Sequence, residues 1–204
     1  MELFWFIILA VAAFCLGACP FAIWIGRWKL GRDIREYGDH NPGAANVFKA
    51  GSIKWGFVAA ILDIAKGVPF VLLSYLYFHF SEPQIYLVGL CAIAGHAFSP
   101  FLRFKGGKAT AVTMGVLLSI PAKDILLIFI IMMVLCFFLL DGDGWRAVLS
   151  ITACLIYAIV TGKAIWTALF MAGVLLIVAI KNWGALKFSP RRKKKLYIGF
   201  GREN

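Results

Sequence analysis

Long apolar runs, separated by short polar segments, follow one another along most of this chain. The first two cover residues 3–25 and 55–78. Each is long enough for an α-helix to cross the hydrocarbon core of a bilayer, which takes about 20 residues. Hydrophobic residues make up 62% of the 204 residues and charged residues only 15%, whereas about a quarter of a soluble domain is charged. The sequence therefore predicts one all-α polytopic membrane domain over residues 1–204.

Five more apolar segments bring the number of predicted transmembrane helices to seven. They cover residues 84–102, 109–120, 125–140, 147–160 and 164–180. The segment 109–120 is short, so it is either a short tilted span or a re-entrant segment. The first segment lacks the pattern of a cleavable signal peptide and is expected to remain as a span.

Positive charge is concentrated between these segments. With seven spans, residues 26–54, residues 103–108 and the tail from residue 181 lie on one side and carry most of the net charge of +11. Because cytoplasmic loops collect Lys and Arg, this pattern predicts an outside N-terminus and a cytoplasmic C-terminus. This topology explains the net positive charge, so no nucleic acid partner is expected. The basic cluster 191–195, inside a tail of about 187–204, is predicted to bind anionic lipid headgroups.

The cysteines show no spacing typical of a metal site. The Asp-Gly-Asp-Gly turn at residues 141–144 is predicted to be a cytoplasmic break between helices, and a metal-binding pair of carboxylates is the alternative. We therefore expect no metal and no cofactor. The cysteines all lie in apolar stretches, where a thiol behaves as a small hydrophobic group: Cys15, Cys19, Cys91, Cys136 and Cys154.

Residues 38–51, called the first loop below, hold more polar and permissive residues than a connection requires. Glycines such as Gly43 let backbone N–H groups approach a ligand closely, and successive N–H groups can bind an anion. An ordinary polar loop is the alternative interpretation. The side chains suited to a phosphate or a hydroxyl group are Asp39, His40, Asn41, Asn46 and Lys49.

A second basic segment, Phe104-Lys105-Gly106-Gly107-Lys108, precedes the short apolar segment and is called the KGGK loop below. A glycine pair between two lysines at a helix N-terminus suits a phosphate group. The spacing is not that of a Walker A loop, and a basic cytoplasmic loop is the alternative.

Three acidic or basic side chains fall within predicted spans: Asp63, Lys66 and His96. Charged groups at membrane depth are rare and usually functional. Asp63 and Lys66 lie three residues apart, so they can pair across one helical turn or support the first loop from beneath. His96 is either a packing residue or a substrate-binding one.

The order of these segments resembles the bacterial acyl-phosphate:glycerol-3-phosphate acyltransferase family, often called PlsY. The resemblance runs from the first span to the last, and its most specific part is the stretch from Gly95 to Lys108. The residues that carry it are Gly31 to Gly38, Asn41, Gly43, Ala44, Asn46, Val47, Asp63, Lys66, Gly67, Gly95, His96, Pro100 and Phe104 to Lys108.

This resemblance implies seven spans and the transfer of a fatty acyl group from acyl phosphate to the sn-1 hydroxyl of glycerol 3-phosphate, giving lysophosphatidic acid. It implies no cofactor, and we expect a monomer. Catalytic roles are expected for Asp39, His40, Asn41, Lys108 and Asn182. Substrate or phosphate binding is expected at Gly43, Asn46, Lys49, His96, Lys105, Gly106 and Gly107, with Asp63 and Lys66 as a supporting pair.

Several positions depart from the family pattern. Asp39 stands where the family has a serine, Lys49 where it has an arginine, and Ala179 where it has a histidine. The glutamate that follows in the family's tail is also missing. A family member with these departures is expected to keep the fold and the phosphate pocket. Its acceptor, its donor or its reaction rate can differ from those of the family.

One hypothesis is that His40 replaces the missing histidine as a base or a hydroxyl-orienting group, with Asp39 nearby. Two alternatives to the acyltransferase remain: a small-solute or ion transporter that uses the charged residues inside the spans, and a paralogue with a different phosphorylated acceptor. A phosphatidyltransferase that uses CDP-alcohols is excluded, because its motif needs two more aspartates and residues 148–180 contain none.

Overall fold

The computed structural model describes residues 1–192, which are mostly helical. Two short 3₁₀ turns, Ile34–Glu36 and Pro100–Leu102, connect helices on one side of the bundle. The helices are α1 (Glu2–Ala18), α2 (Phe21–Leu30), α3 (Ala44–Lys49), α4 (Ile53–Ala65), α5 (Pro69–Leu76), α6 (Glu82–Ala97), α7 (Thr110–Ser119), α8 (Lys123–Leu139), α9 (Asp143–Val160), α10 (Ile165–Lys181) and α11 (Trp183–Leu186).

Each of the seven apolar segments predicted from the sequence contains a helix. Four helical stretches are long and apolar enough to cross a membrane: Glu2–Leu30, Ile53–Leu76, Glu82–Leu102 and Asp143–Val160. Shorter apolar helices, including α7 and α10, lie among them. The predicted all-helical membrane architecture is therefore confirmed at this level.

Two of the long stretches are broken near a proline. The first is interrupted between α1 and α2 at Cys19 and Pro20, and the second between α4 and α5, where Pro69 begins the new helix. A proline lacks the N–H group that would continue the helix. The broken ladder needs other partners inside an apolar bundle, and the Lys66 ammonium group, 3.0 Å away, donates a hydrogen bond to the Cys19 carbonyl oxygen.

Small residues let the central helices approach closely. A Cβ atom added to Gly95 on α6 would lie 2.1 Å from the Phe14 carbonyl oxygen of α1, and one added to Gly115 on α7 would lie 1.9 Å from the Ile64 carbonyl oxygen of α4. Such contacts between backbones are typical of helix packing in membranes. They hold α6 against α1, and α7 against α4 next to Asp63.

The segment around residues 140–144 differs from the prediction. The Asp-Gly-Asp-Gly stretch is not wholly a turn, because α9 already begins at Asp143. Leu140–Asp141 (β1) pairs antiparallel with Arg191–Arg192 (β2) in a two-residue ladder that was not predicted. This ladder brings the start of the basic tail to the α8–α9 connection. The remainder of the basic cluster, from residue 193 to 195, lies outside the described residues.

Candidate active site

A cavity of about 240 Å³ opens where the first loop, the KGGK loop and the α8–α9 connection meet. The two loops are far apart in the sequence, and the structure brings Asn41 and Gly43 of one together with Lys108 of the other. The residues that line the cavity are Asn41, Gly43, Ala44, Ala45, Asp63, His96, Lys108, Ala109, Thr110, Ala111, Met133, Phe137, Asp143 and Arg146.

The Asp39 carboxylate joins the two loops. It accepts hydrogen bonds from the backbone N–H of Asn41 (3.2 Å) and the side-chain amide of Asn46 (3.0 Å), and it forms an ion pair with Lys108. Partial burial raises the pKa of the Asp39 carboxyl, but the hydrogen bond and charge of Lys108, helped by these amides, lower the pKa below its usual value. The carboxylate is therefore anionic and collects three donors at one point.

Asn46 orders the first loop from within. Its side-chain amide also donates to the Asn41 carbonyl oxygen at 2.8 Å, so this buried side chain fixes the backbone just before Pro42. Its Oδ1 atom is buried without a hydrogen-bond partner in the described part of the chain. Asn46 thus positions Asn41 without lining the cavity itself.

The glycine pair of the KGGK loop lies directly on His96. The Gly107 N–H donates to the His96 carbonyl oxygen at 3.1 Å. A Cβ atom at Gly106 would lie 2.0 Å from that same oxygen, and one at Gly107 would lie 2.2 Å from the His96 Nε2 atom. Glycine at both positions therefore lets the loop pack on α6 and sets the position of Lys108.

The polar residues predicted inside the spans form one buried group beneath the cavity. The Lys66 ammonium group lies 2.8 Å from the Asp63 carboxylate, and the His96 Nδ1 atom lies 3.9 Å from the same oxygen. All three side chains are buried, and Asp63 and His96 also line the cavity. The helical spacing of Asp63 and Lys66 therefore produces the predicted pair.

The other predicted residues lie away from the cavity lining. His40 is exposed, and its Nδ1 atom contacts the Arg35 carbonyl oxygen at 2.8 Å instead of Asp39. Lys49 and Lys105 are exposed. Asn182 is buried: its amide donates to the Val178 carbonyl oxygen at 2.8 Å, and its Oδ1 atom has no hydrogen-bond partner within residues 1–192.

The residues on the side of the cavity formed by α8 and α9 were not predicted from the sequence. Met133, Phe137, Asp143 and Arg146 lie there. The signal was present, because Asp143 and Arg146 are three residues apart at the start of an apolar helix, as Asp63 and Lys66 are within one. The two side chains form an ion pair, with 2.9 Å between Arg146 Nη1 and Asp143 Oδ1.

Comparison with known proteins agrees with this architecture. The family model described as glycerol-3-phosphate acyltransferase matches residues 7–187. The chain resembles a solved structure of PlsY (YgiH), an integral membrane glycerol 3-phosphate acyltransferase in its glycerol 3-phosphate form. The TM-score is 0.82 at 22% identity, and 96% of this chain and 99% of that one are covered. At this identity the likeness supports the fold alone.

Relatives named glycerol-3-phosphate acyltransferase are closer in sequence. The protein from Listeria welshimeri is 33% identical over 85% of this chain and 83% of its own length. The protein from Lactococcus lactis subsp. lactis is 41% identical over 55% of this chain, and a Dehalococcoides mccartyi protein is 44% identical over the same share. The last two matches span only about half of those relatives, 53% and 48%.

The family model covers nearly all of the helical bundle, including both loops of the cavity. The chain is therefore a multi-pass integral membrane protein that belongs to the glycerol-3-phosphate acyltransferase family.

Proposed function

We propose that this protein transfers a fatty acyl group from acyl phosphate to the sn-1 hydroxyl of glycerol 3-phosphate in phospholipid synthesis. The observation that carries the proposal is the meeting of Asn41 and Lys108 at one cavity, with Met133 and Phe137 as an apolar wall beside them. Such a cavity suits a phosphorylated polar acceptor and a donor with an alkyl chain. The names of the relatives are consistent with this activity.

In this reaction the acceptor hydroxyl oxygen attacks the carbonyl carbon of the mixed anhydride. The bond from that carbon to the phosphate oxygen breaks, and inorganic phosphate leaves and takes up the hydroxyl proton, directly or through a side chain. The products are lysophosphatidic acid and phosphate. Because the donor is already activated, the protein mainly positions two anionic reactants and stabilises their charge.

The residue roles follow from position. Lys108 is proposed to bind a substrate phosphate. The exposed side chains of Lys49 and Lys105 are proposed to attract the anionic substrates. Asn41 is proposed to orient a substrate group, positioned by Asn46. Gly43, Gly106 and Gly107 are proposed to allow close backbone approach. His96 and His40 are candidate proton carriers, and Asp63 and Lys66 are the supporting pair. Asp39 is proposed to modulate Lys108, and Asn182, next to α9, completes the set.

The proposed topology has seven spans, an outside N-terminus, a cytoplasmic C-terminus and a cavity on the cytoplasmic side of a bacterial plasma membrane. It is supported by the position of the first and KGGK loops at the cavity and by the positive charge of both. In a cysteine-free background, a cysteine at Lys105 should react with a membrane-impermeant maleimide only in inside-out vesicles, and one at His79 only in right-side-out vesicles. The reverse pattern would overturn this orientation.

Activity is tested by measuring phosphate release and lipid product from acyl phosphate and glycerol 3-phosphate in micelles. We expect one lysophosphatidic acid per phosphate. Lys108→Met should lower kcat/KM by about 10²- to 10³-fold, as loss of one charge-stabilising donor does. Lys123→Met, at the N-terminal end of α8, is the matched control and should retain activity.

Folded protein that forms no product with these substrates would refute the proposal. Product formation with another phosphorylated acceptor would instead identify a paralogue with altered specificity. Acyl-phosphate-independent solute uptake by proteoliposomes, lost in Asp63→Asn, would favour the transporter alternative.

A further inference from the structure

Arg146 is a partly buried cation on the side of the cavity formed by α8 and α9. Its side chain is only 12% exposed. The Nε and Nη2 atoms donate to the Leu140 carbonyl oxygen at 3.0 and 2.6 Å, and the guanidinium carbon lies 5.0 Å from the centre of the Phe137 ring. The guanidinium group is therefore held in place by the end of α8.

This arrangement leaves a binding edge on the guanidinium group. Of its five N–H bonds, two are directed to Leu140 and one, on Nη1, to Asp143. Within residues 1–192, one N–H on each terminal nitrogen has no acceptor. The edge shared by Nη1 and Nη2 can bind a phosphate through two parallel hydrogen bonds, with Asp143 displaced where it occupies the Nη1 hydrogen on that edge. The Leu140 carbonyl is neutral, so it positions Arg146 without cancelling its charge.

The carboxylate partner of Arg146 is replaceable. The Asp143 side chain is 44% exposed, and an ion pair with one solvated partner contributes little stability. A phosphate dianion can therefore displace Asp143 or bind beside it.

The surroundings of Arg146 are apolar. Met133 and Phe137, one helical turn apart on α8, line the same cavity. Residues four apart lie on one helical face, so they form a continuous apolar strip next to the cation. This combination suits an anion attached to an alkyl chain, whereas glycerol 3-phosphate has no such chain to place there.

The cavity is lined by two cationic side chains, one for each phosphate of the two substrates. Of the lining residues, only Lys108 and Arg146 carry a Lys or Arg charge within residues 1–192, and each has a carboxylate partner on its own side of the cavity. Two anionic reactants brought together repel each other, and separate cations reduce that repulsion.

We propose that Arg146 binds the phosphate of the acyl donor, with the acyl chain lying against Met133 and Phe137, while Lys108 binds the phosphate of the acceptor. This assignment of the donor side rests on the proposed function for the identity of the substrate. It makes Arg146 a substrate-binding residue of this chain.

The first test measures KM for each substrate separately. Arg146→Gln should raise KM for acyl phosphate by about 10- to 100-fold, as loss of a charge-assisted hydrogen-bonded contact does. It should change KM for glycerol 3-phosphate by less than about 2-fold, since Arg146 is assigned no contact with the acceptor and residues that share no partner have nearly additive effects. Arg146→Lys keeps the charge but not the two parallel hydrogen bonds, so it should be intermediate. Arg27→Gln, on an exposed arginine paired with Asp33, is the matched control.

A second variant predicts a change of opposite sign. Asp143→Asn keeps Arg146 in place but removes the competing carboxylate, so KM for acyl phosphate should fall by about 2- to 5-fold. An increase in that KM, or an Arg146→Gln effect on glycerol 3-phosphate as large as that on the donor, would overturn the assignment.

A binding measurement separates this assignment from the reaction itself. Dodecylphosphonate should bind the wild-type protein in micelles more tightly than methylphosphonate, as measured by calorimetry, and Arg146→Gln should weaken dodecylphosphonate binding by about 10-fold. If no acyl transfer occurs but this dependence on Arg146 holds, the proposed function fails and the anion–alkyl site stands. If acyl transfer occurs and alkylphosphonate binding ignores Arg146, the assignment of Arg146 is wrong.

Discussion

The Asp39 carboxylate is bound to the Lys108 ammonium group, although the two residues lie 69 positions apart in the sequence. The same carboxylate accepts hydrogen bonds from Asn41 and Asn46. Under the proposed function, a substrate phosphate at this end of the cavity would use Lys108 as its donor. In this chain an internal anion occupies that donor where the family resemblance places a serine.

Replacement of Asp39 should therefore strengthen acceptor binding. In Asp39→Ser, Lys108 no longer has to exchange a carboxylate for a phosphate, and KM for glycerol 3-phosphate should fall by about 3- to 10-fold, the scale of one partly exposed charge pair. KM for acyl phosphate should change little. A rise in the acceptor KM would mean that Asp39 positions Lys108 for the substrate.

The effect of Asp39 should be independent of pH over the range of a normal assay. Because the folded state lowers the pKa of the Asp39 carboxyl, its stabilising ion pair is fully present above the unfolded-state pKa and is lost only as pH falls through the lower folded-state pKa. The ratio of acceptor KM between wild type and Asp39→Asn should therefore stay constant from pH 5 to 9. A ratio that approaches one toward pH 5 would contradict this ionisation.

The packing of the KGGK loop on α6 gives a prediction for Gly106. In Gly106→Ala the new Cβ atom meets the His96 carbonyl oxygen, which cannot rotate away, so the loop must shift. We expect a destabilisation of about 1–3 kcal/mol, seen as a lower unfolding temperature in micelles, together with a reduced kcat/KM because Lys108 moves. Gly184→Ala, whose Cβ atom would meet nothing within 4 Å, is the matched control. Equal behaviour of the two variants would show that the loop tolerates displacement.

The buried pair of Asp63 and Lys66 should behave as a unit. Removing one charge leaves the other unpaired in an apolar environment, so Asp63→Asn and Lys66→Met should each cost about 3–5 kcal/mol of stability. The double variant should recover much of this loss, as measured by a double-mutant cycle of unfolding free energies. If the double variant regains stability while its activity stays low, Asp63 also acts at the cavity. If the two losses of stability simply add in the double variant, Asp63 and Lys66 are not a coupled pair.

The hypothesis that His40 acts as a base remains open to a direct test. A histidine normally changes charge between pH 5 and 8, so His40→Ala should lower kcat and remove a pH-dependent limb of the rate profile between pH 5 and 9. His79→Ala replaces another exposed histidine, in the α5–α6 connection, and should leave the profile unchanged. An unchanged profile in His40→Ala would remove His40 from the mechanism and leave His96, which lines the cavity, as the remaining candidate.

The sequence by itself determined the helical segments and the chemistry of the two loops. Apolar residues near the length of a bilayer must form helices because lipid offers no partners to an open backbone. Gly106, Gly107 and Lys108 indicated a phosphate-binding loop by local composition alone. The spacing of Asp63 and Lys66 was likewise sufficient to predict their contact, since three residues make nearly one helical turn.

Only the tertiary structure decided which of these parts meet. The break at Pro20 creates a carbonyl acceptor that Lys66 reaches from another helix. Close backbone contacts at Gly95 and Gly115 pack α6 on α1 and α7 on α4. Arg146 joins that cavity because the α8–α9 connection turns back toward the first loop. Such contacts depend on the fit of backbones distant in sequence, and hydropathy and spacing along one segment carry no information about that fit.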